Sequence, residues 1–84
     1  MIVRLLLFAG AREAAGCGCD EYDLEPGVRL GGFLDEAVER YGDAFAAVLA
    51  SSRVWINGDE PPKSLATVLA ADDEVAVLPP VSGG

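Results

Sequence analysis

The sequence predicts an α+β domain in which one main helix packs across one face of a mixed β-sheet. Three features predict it. Apolar runs lie near both ends of the chain, at Ile2–Phe8 and Glu74–Leu78. A helical stripe of apolar residues lies between them, and alternating segments flank that stripe. The 84 residues suffice for one small domain with a single core. We therefore treat residues 1–84 as one domain.

Four segments are predicted to be strands. Ile2–Phe8 is apolar at nearly every position, which is typical of a central strand covered on both faces. Glu74–Leu78 has the same character and is expected beside it, and the long connections between the two allow parallel pairing. Asp20–Glu25 alternates acidic with apolar residues, as a half-buried strand does. Arg53–Asn57 also alternates, and Asn57-Gly58 is a strong hairpin-turn signal.

The helical segments are predicted from helix-forming residues and from a change in the spacing of the apolar residues. The segment Ala9–Gly16 favours a short helical turn that ends at Gly16. The main helix is predicted from one continuous stripe formed by Leu30, Phe33, Leu34, Ala37, Val38 and Tyr41. Gly42 is a natural stop, and Asp43 is expected to cap a second short helix. The start of the main helix is unfavourable, because Gly31 and Gly32 each cost about 1 kcal/mol relative to alanine.

The composition excludes several classes of function. Fourteen acidic residues against six basic ones give a net charge of −8, which argues against nucleic-acid binding and favours a basic partner surface. No apolar run approaches the ~20 residues of a membrane span, and the start Met1-Ile2-Val3-Arg4 lacks the features of a signal peptide. We therefore expect a soluble, cytoplasmic protein without a membrane partner. The chain has no histidine, so an independent enzyme is the least expected class.

The two cysteines, Cys17 and Cys19, are separated by one glycine. Without a third and fourth thiol or imidazole they cannot complete a tetrahedral zinc site, so no metal is expected. We interpret them as free thiols in a surface turn, with no role in sulfur transfer. A redox-sensitive pair or an intermolecular disulfide is the alternative.

The C-terminal residues carry the strongest functional signal; they are Pro79, Pro80, Val81, Ser82, Gly83 and Gly84. The two prolines lack a backbone N–H and have a fixed φ, so they end the preceding strand and favour an extended, projecting tail over residues 79–84. Glycines without a Cβ fit a narrow channel and leave the terminal carboxylate open to attack. Activated as an acyl-adenylate by a partner, that carboxylate could accept sulfur as a thiocarboxylate or a protein amine as an isopeptide bond.

On these residues the chain resembles the small, sulfur-carrier subunit of molybdopterin synthase, a ubiquitin-like β-grasp family. The resemblance covers essentially the whole chain, and its most specific pieces are Phe8-Ala9 with Arg12-Glu13 and Gly16, Ile56-Asn57-Gly58-Asp59, and residues 73–84. Asp72 stands where the family usually has glycine, and aspartate tolerates left-handed φ better than most residues.

The resemblance implies a non-catalytic carrier whose site residue is Gly84. A ubiquitin-activating-like adenylyltransferase would use ATP to adenylate its carboxylate, and a sulfur donor protein would supply the sulfur of the thiocarboxylate. The carrier itself would bind no cofactor. The tail from Pro79 to Gly83 would enter a channel of the large catalytic subunit, in a heterotetramer. There the sulfur would pass to cyclic pyranopterin monophosphate in molybdenum cofactor biosynthesis.

Three other functions stay open. The sulfur carrier of thiamine thiazole synthesis shares the fold and the Gly-Gly end, but it usually lacks both the insert Ala9–Gly16 and the Leu-Pro-Pro run. A ubiquitin-like covalent protein modifier would place Gly84 on a lysine. A plain interaction domain would have an inert tail. For a carrier, we also expect an apolar docking patch on the sheet face that the main helix leaves uncovered.

Overall fold

A computed structural model of the chain describes residues 1–80 and contains one four-stranded sheet with helices on one side. In chain order its elements are β1 (Ile2–Leu7), α1 (Ala9–Ala15), β2 (Cys19–Asp23), α2 (Leu30–Tyr41), α3 (Asp43–Ala50), β3 (Arg53–Ile56) and β4 (Glu74–Leu78), with a 3-10 turn at Ser64–Ala66 before β4. The predicted α+β class is confirmed. Within the described part of the chain, no helix is long and apolar enough to cross a bilayer.

The two most apolar strands lie at the centre of the sheet. The strand order is β2-β1-β4-β3, with β1 parallel to β4 and the two outer pairs antiparallel. Leu5 is paired with Val75 across the parallel ladder. The predicted central, parallel pairing of the first and last strands is therefore confirmed, and the long stretch between them supplies the connection that parallel strands need.

The core lies between the sheet and the helices, on one face only. Val3, Leu5 and Leu7 of β1 are buried, and the ring of Phe33 from α2 meets the ring of Tyr22 edge to face at a centroid distance of 4.9 Å. The alternate residues of β1 point to the other face, and Ile2 there is 42% exposed. The prediction that β1 is covered on both faces is wrong, because all the helices contribute to the same side of the sheet.

The start of α2 is held by the connector that precedes β4. The backbone N–H of Leu30 donates to the carbonyl of Thr67 at 2.8 Å, and that of Leu69 donates to Val28 at 2.9 Å. A Cβ on Gly31 would lie 3.4 Å from both the Cβ and the carbonyl oxygen of Leu65. The glycine that weakens the helix start therefore lets the connector pack closely against it.

The junction between α2 and α3 differs from the prediction. Gly42, at φ 96°, is the residue before α3, and Asp43 is already the first helical residue with no side-chain capping bond. The predicted cap at Asp43 is therefore wrong. Its carboxylate still lies in the first turn, where the helix dipole favours a negative charge.

Two turns fix the beginning of β4. The side chain of Asn57 donates to Asp73 Oδ1 at 2.9 Å and accepts the backbone N–H of Glu74 at 2.9 Å. Asp73 Oδ2 also accepts the backbone N–H of Ala70 at 2.7 Å. Asp72 lies at φ 67°, so the expected tolerance of aspartate for the left-handed region is used here. These bonds tie the end of β3 to the start of β4.

Candidate functional site

The candidate site begins where β4 ends. Leu78 is the last strand residue and is paired with Arg53 of the edge strand β3. Pro79 is half-buried and Pro80 is exposed, both outside the strand, so the predicted end of the ladder at the prolines is confirmed. The other predicted site residues, Val81, Ser82, Gly83 and Gly84, lie outside the described residues. The projecting tail and its reach therefore stay a prediction.

The sheet face opposite the helices, which we call the open face, is apolar near the end of β4. Leu6, Ala76 and Trp55 stand in register across three strands and are half-buried. Leu78 extends this row toward the tail, and Phe8 beside it is 46% exposed. We name these five residues the open-face patch. An uncovered apolar face was predicted and is found, whereas its use in docking remains a proposal.

The opposite end of the open face is charged. Arg4 lies between two carboxylates, with its Nε 3.8 Å from Glu21 and its Nη1 3.4 Å from Glu74. The α-amino group of Met1 contacts the Asp23 carboxylate at 3.0 Å. These pairs are exposed and so contribute little to stability. They do divide the open face into an apolar half near the tail and a charged half away from it.

The two cysteines point to different environments. Cys17 is half-buried, with its Sγ 3.9 Å from the hydroxyl of Tyr41, whereas Cys19 is exposed at the start of β2 and paired with Leu6. The two cysteines form no disulfide with each other. The prediction that both lie in a surface turn is wrong for Cys19, because it is the first residue of β2 and pairs with β1. Within residues 1–80, no group of three or more histidine, cysteine or acidic residues is placed to hold a metal ion.

A polar cluster that the sequence did not indicate joins β2 to the end of α2. The Tyr41 hydroxyl donates to Asp20 Oδ2 at 2.5 Å, and Arg40 donates to the same oxygen at 3.1 Å while its guanidinium lies 3.8 Å from the centre of the Tyr22 ring. The hydrogen bond from Tyr41 is the main cause that lowers the pKa of Asp20, and burial raises the pKa of Tyr41. The cluster supports the fold at the end of the sheet that carries the cysteines.

Replacing Asp20 by asparagine is expected to lower the free energy of unfolding by about 1 kcal/mol near neutral pH, because charge-assisted hydrogen bonds from Tyr41 and Arg40 are weakened. The pKa of Asp20 in the folded chain is below its ordinary 3.8. The stabilisation by its carboxylate is therefore present above the ordinary pKa of 3.8. It is lost as the pH falls through the lower pKa of the folded chain. Urea unfolding of both proteins from about pH 7 down to about pH 2 measures the effect.

The matched control for that experiment is Asp35→Asn, since Asp35 is exposed on α2 and forms no ion pair within residues 1–80. Its effect on stability should be close to zero at every pH. A difference between Asp20→Asn and the unaltered protein that persists at the lowest pH would contradict the assignment.

Comparisons with known proteins place this geometry in context. In overall structure the chain is similar to SAMP1 from Haloferax volcanii, with 30% sequence identity, coverage of 100% of both chains and a TM-score of 0.87. It is also similar to a putative molybdopterin converting factor, subunit 1, from Pyrococcus furiosus, with 27% identity, 96% of this chain and 99% of that chain covered, and a TM-score of 0.85. A comparison with curated proteins gave no match.

The complex of subunits 1 and 2 of the molybdopterin-converting factor from Helicobacter pylori contains a third similar chain, at 23% identity, 100% coverage of both chains and a TM-score of 0.68. At that identity the likeness shows the fold alone. Together these structures confirm the predicted ubiquitin-like β-grasp fold. A sequence model described as the ThiS family matches residues 5–84, which is nearly the whole chain. The chain therefore belongs to the ThiS family.

Proposed function

We propose that this chain is the sulfur-carrier subunit of a molybdopterin synthase and that Gly84 carries the sulfur. The observation that carries the proposal is the end of β4. In a ThiS-family fold, a central strand stops at Pro79-Pro80 beside the open-face patch, and Gly83-Gly84 follow within four residues. The likeness to subunit 1 of the Pyrococcus furiosus factor supports the same assignment.

The chemistry belongs to the terminal carboxylate and to partner enzymes. A carboxylate oxygen of Gly84 attacks the α-phosphorus of ATP held by a ubiquitin-activating-like adenylyltransferase, and pyrophosphate leaves. Sulfide from a sulfur donor protein then adds to the acyl carbon and AMP leaves, which gives the thiocarboxylate. The carrier binds no cofactor of its own in this scheme. With no histidine in the sequence, the chain lacks the commonest general base, so the partner supplies the proton transfers.

The large catalytic subunit is the proposed receiver of the sulfur. The Helicobacter pylori complex, in which subunit 1 is bound to subunit 2, supports a partner of this kind. The open-face patch offers it an apolar surface next to the tail, and the charged half of the same face favours basic groups farther away. Inside the channel the thiocarboxylate would pass its sulfur to cyclic pyranopterin monophosphate.

The test is an intact-mass measurement on the purified chain. After incubation with ATP, an activating enzyme and a sulfide source, the expected mass gain is that of one oxygen replaced by sulfur. After addition of the large subunit and cyclic pyranopterin monophosphate, the mass should return to its starting value while molybdopterin forms. A loaded carrier that keeps its sulfur under these conditions would contradict the molybdopterin role.

A second candidate is covalent protein modification, and the likeness to SAMP1 at 30% identity favours it. In that case the activated Gly84 carbonyl would form an isopeptide bond with a lysine amine. Peptides that bear the Ser82-Gly83-Gly84 remnant on lysine, found in lysates of cells that express the chain, would support this candidate. The sulfur carrier of thiamine thiazole synthesis is the third candidate. Transfer of the sulfur to a thiazole synthase, and not to the large subunit of molybdopterin synthase, would favour it.

A further inference from the structure

A groove lies next to Pro79 and Pro80 on the helix side of the sheet, opposite the open-face patch. It has a volume of about 660 Å³ and runs between α1, α3 and the two prolines. Its walls include Ala9, Gly10, Glu13, Ala47, Val48 and Pro80. We call it the tail-root groove. Most of its wall is apolar, and the exposed side chains of Ala9 and Ala47 leave it open to a partner.

Small residues at the start of α1 line this groove. Ala9, the first residue of α1, lies at φ 48°, in the left-handed region that costs a non-glycine residue about 1–3 kcal/mol. The next residue is Gly10, where a Cβ would lie 3.8 Å from the Val48 side chain. The strained residue turns the chain from β1 into α1 so that α1 packs beside α3 with small side chains facing the groove.

The charge of the groove indicates the chemistry of its occupant. Among the described residues that line the groove, Glu13 is the only charged one. An apolar wall with a single carboxylate fits an aliphatic side chain that stands next to a lysine or arginine. A second copy of this chain fits poorly, because it would bring together two molecules that each carry a net charge of −8.

The short separation between Pro80 and Gly84 connects the groove to the proposed chemistry. Pro80 lines the groove, and Gly84 lies four residues after it in the sequence. Four residues span at most ~14 Å when fully extended. A protein that encloses the Gly84 carboxylate must therefore come close to the groove, and a channel wall around the tail needs support from this side as well as from the open face.

We infer that the tail-root groove is a second docking site for the large subunit, which inserts an aliphatic side chain with a neighbouring lysine or arginine that pairs with Glu13. This inference rests on the proposed function. The large subunit then contacts the base of the tail from two sides, at the open-face patch and at the groove. Two contacts orient the tail along the channel better than one, and chemistry in such a channel depends on position to about 1 Å.

The steric test fills the groove and measures binding to the large subunit by calorimetry with the full chain. Ala47→Trp should weaken the affinity at least tenfold. The matched control is Ala50→Trp, because Ala50 is exposed on the same helix but does not line the groove, and its affinity should stay within about twofold of the unaltered protein. Thermal melting of both variants checks that they fold. A folded Ala47→Trp that binds as tightly as its control overturns the inference.

The charge test compares Glu13→Arg with Glu39→Arg, which change the net charge equally. Glu39 is exposed on α2 and does not line the groove. Glu13→Arg should weaken binding at least fivefold and Glu39→Arg much less, whereas equal losses would show only a net-charge effect and overturn the local contact. Slower adenylation with unchanged binding to the large subunit would assign the groove to the activating enzyme and also overturn it. If the unaltered chain itself neither takes up sulfur nor binds the large subunit, the proposed function fails instead.

Discussion

Replacing Phe33 by alanine is expected to lower the free energy of unfolding by about 3–5 kcal/mol. The Phe33 side chain has no solvent exposure and packs against the Tyr22 ring in the middle of the core. Truncation removes the buried ring and leaves a cavity that the surrounding strands cannot fill. Because small domains are stable by only about 5–15 kcal/mol, this loss is a large part of the total. Urea unfolding followed by tryptophan fluorescence of Trp55 measures it.

Phe8→Ala is the matched control, since it removes the same ring from a position that is 46% exposed. Its effect on unfolding should be below about 1 kcal/mol. Phe33→Leu should fall between the two, because most of the volume is kept. If Phe33→Ala and Phe8→Ala destabilised the chain equally, the assignment of the core to the helix side of the sheet would be wrong.

The parts of the fold that could be predicted are those whose signal repeats along the chain. The stripe of α2 from Leu30 to Tyr41 is confirmed, with four of its six residues buried and the other two, Val38 and Tyr41, half-buried against the core, because a helix with one buried face needs apolar residues at that period. The central strands β1 and β4 could be placed from their composition. Their coverage could not, because Ile2 and Leu6 are apolar residues that lie on the open face of the sheet, so apolar composition alone does not show that a face is covered.

Contacts between distant segments could not be predicted. In the sequence, Asp20 is an acidic residue of a predicted strand, and Arg40 and Tyr41 belong to the predicted main helix. Only the packing of β2 against the end of α2 brings the three side chains together. Gly31 read as a weak helix start, since its close approach to Leu65 depends on where the connector runs. The tail-root groove belongs to the same class, because α1, α3 and the prolines meet only in the folded chain.

The candidate site itself was predicted from its chemistry rather than from geometry. Pro79 and Pro80 end the strand for a covalent reason, the missing N–H, so their effect could be stated from the sequence alone. The proposed role of Gly84 follows from the chemistry of an unhindered glycine carboxylate and from the resemblance to the carrier family. The surfaces beside Pro79 and Pro80, by contrast, could be identified only from the register of three strands and the packing of two helices.

Deleting Gly84 is expected to leave folding unchanged and to abolish sulfur loading. The described core is built from residues between Val3 and Val77, so the fold does not need the last glycine among its buried residues. Deletion shortens the tail by ~3.5 Å and leaves Gly83 as the terminal carboxylate. Chemistry that is sensitive to misplacements of about 1 Å should then fail, although a glycine carboxylate is still present. Thermal melting and intact mass after incubation with ATP, activating enzyme and sulfide measure the two properties separately.

Addition of one alanine after Gly84 is the complementary change. It should also abolish loading, because the carboxylate moves too far and a Cβ enters a channel that fits glycine. A control that changes the tail without changing its length is Ser82→Ala, which should keep most of the loading because the terminal glycines and their reach are retained. All three proteins should melt within a few degrees of the unaltered chain. Normal loading of the shortened or the lengthened protein would contradict a carrier that acts through the Gly84 carboxylate.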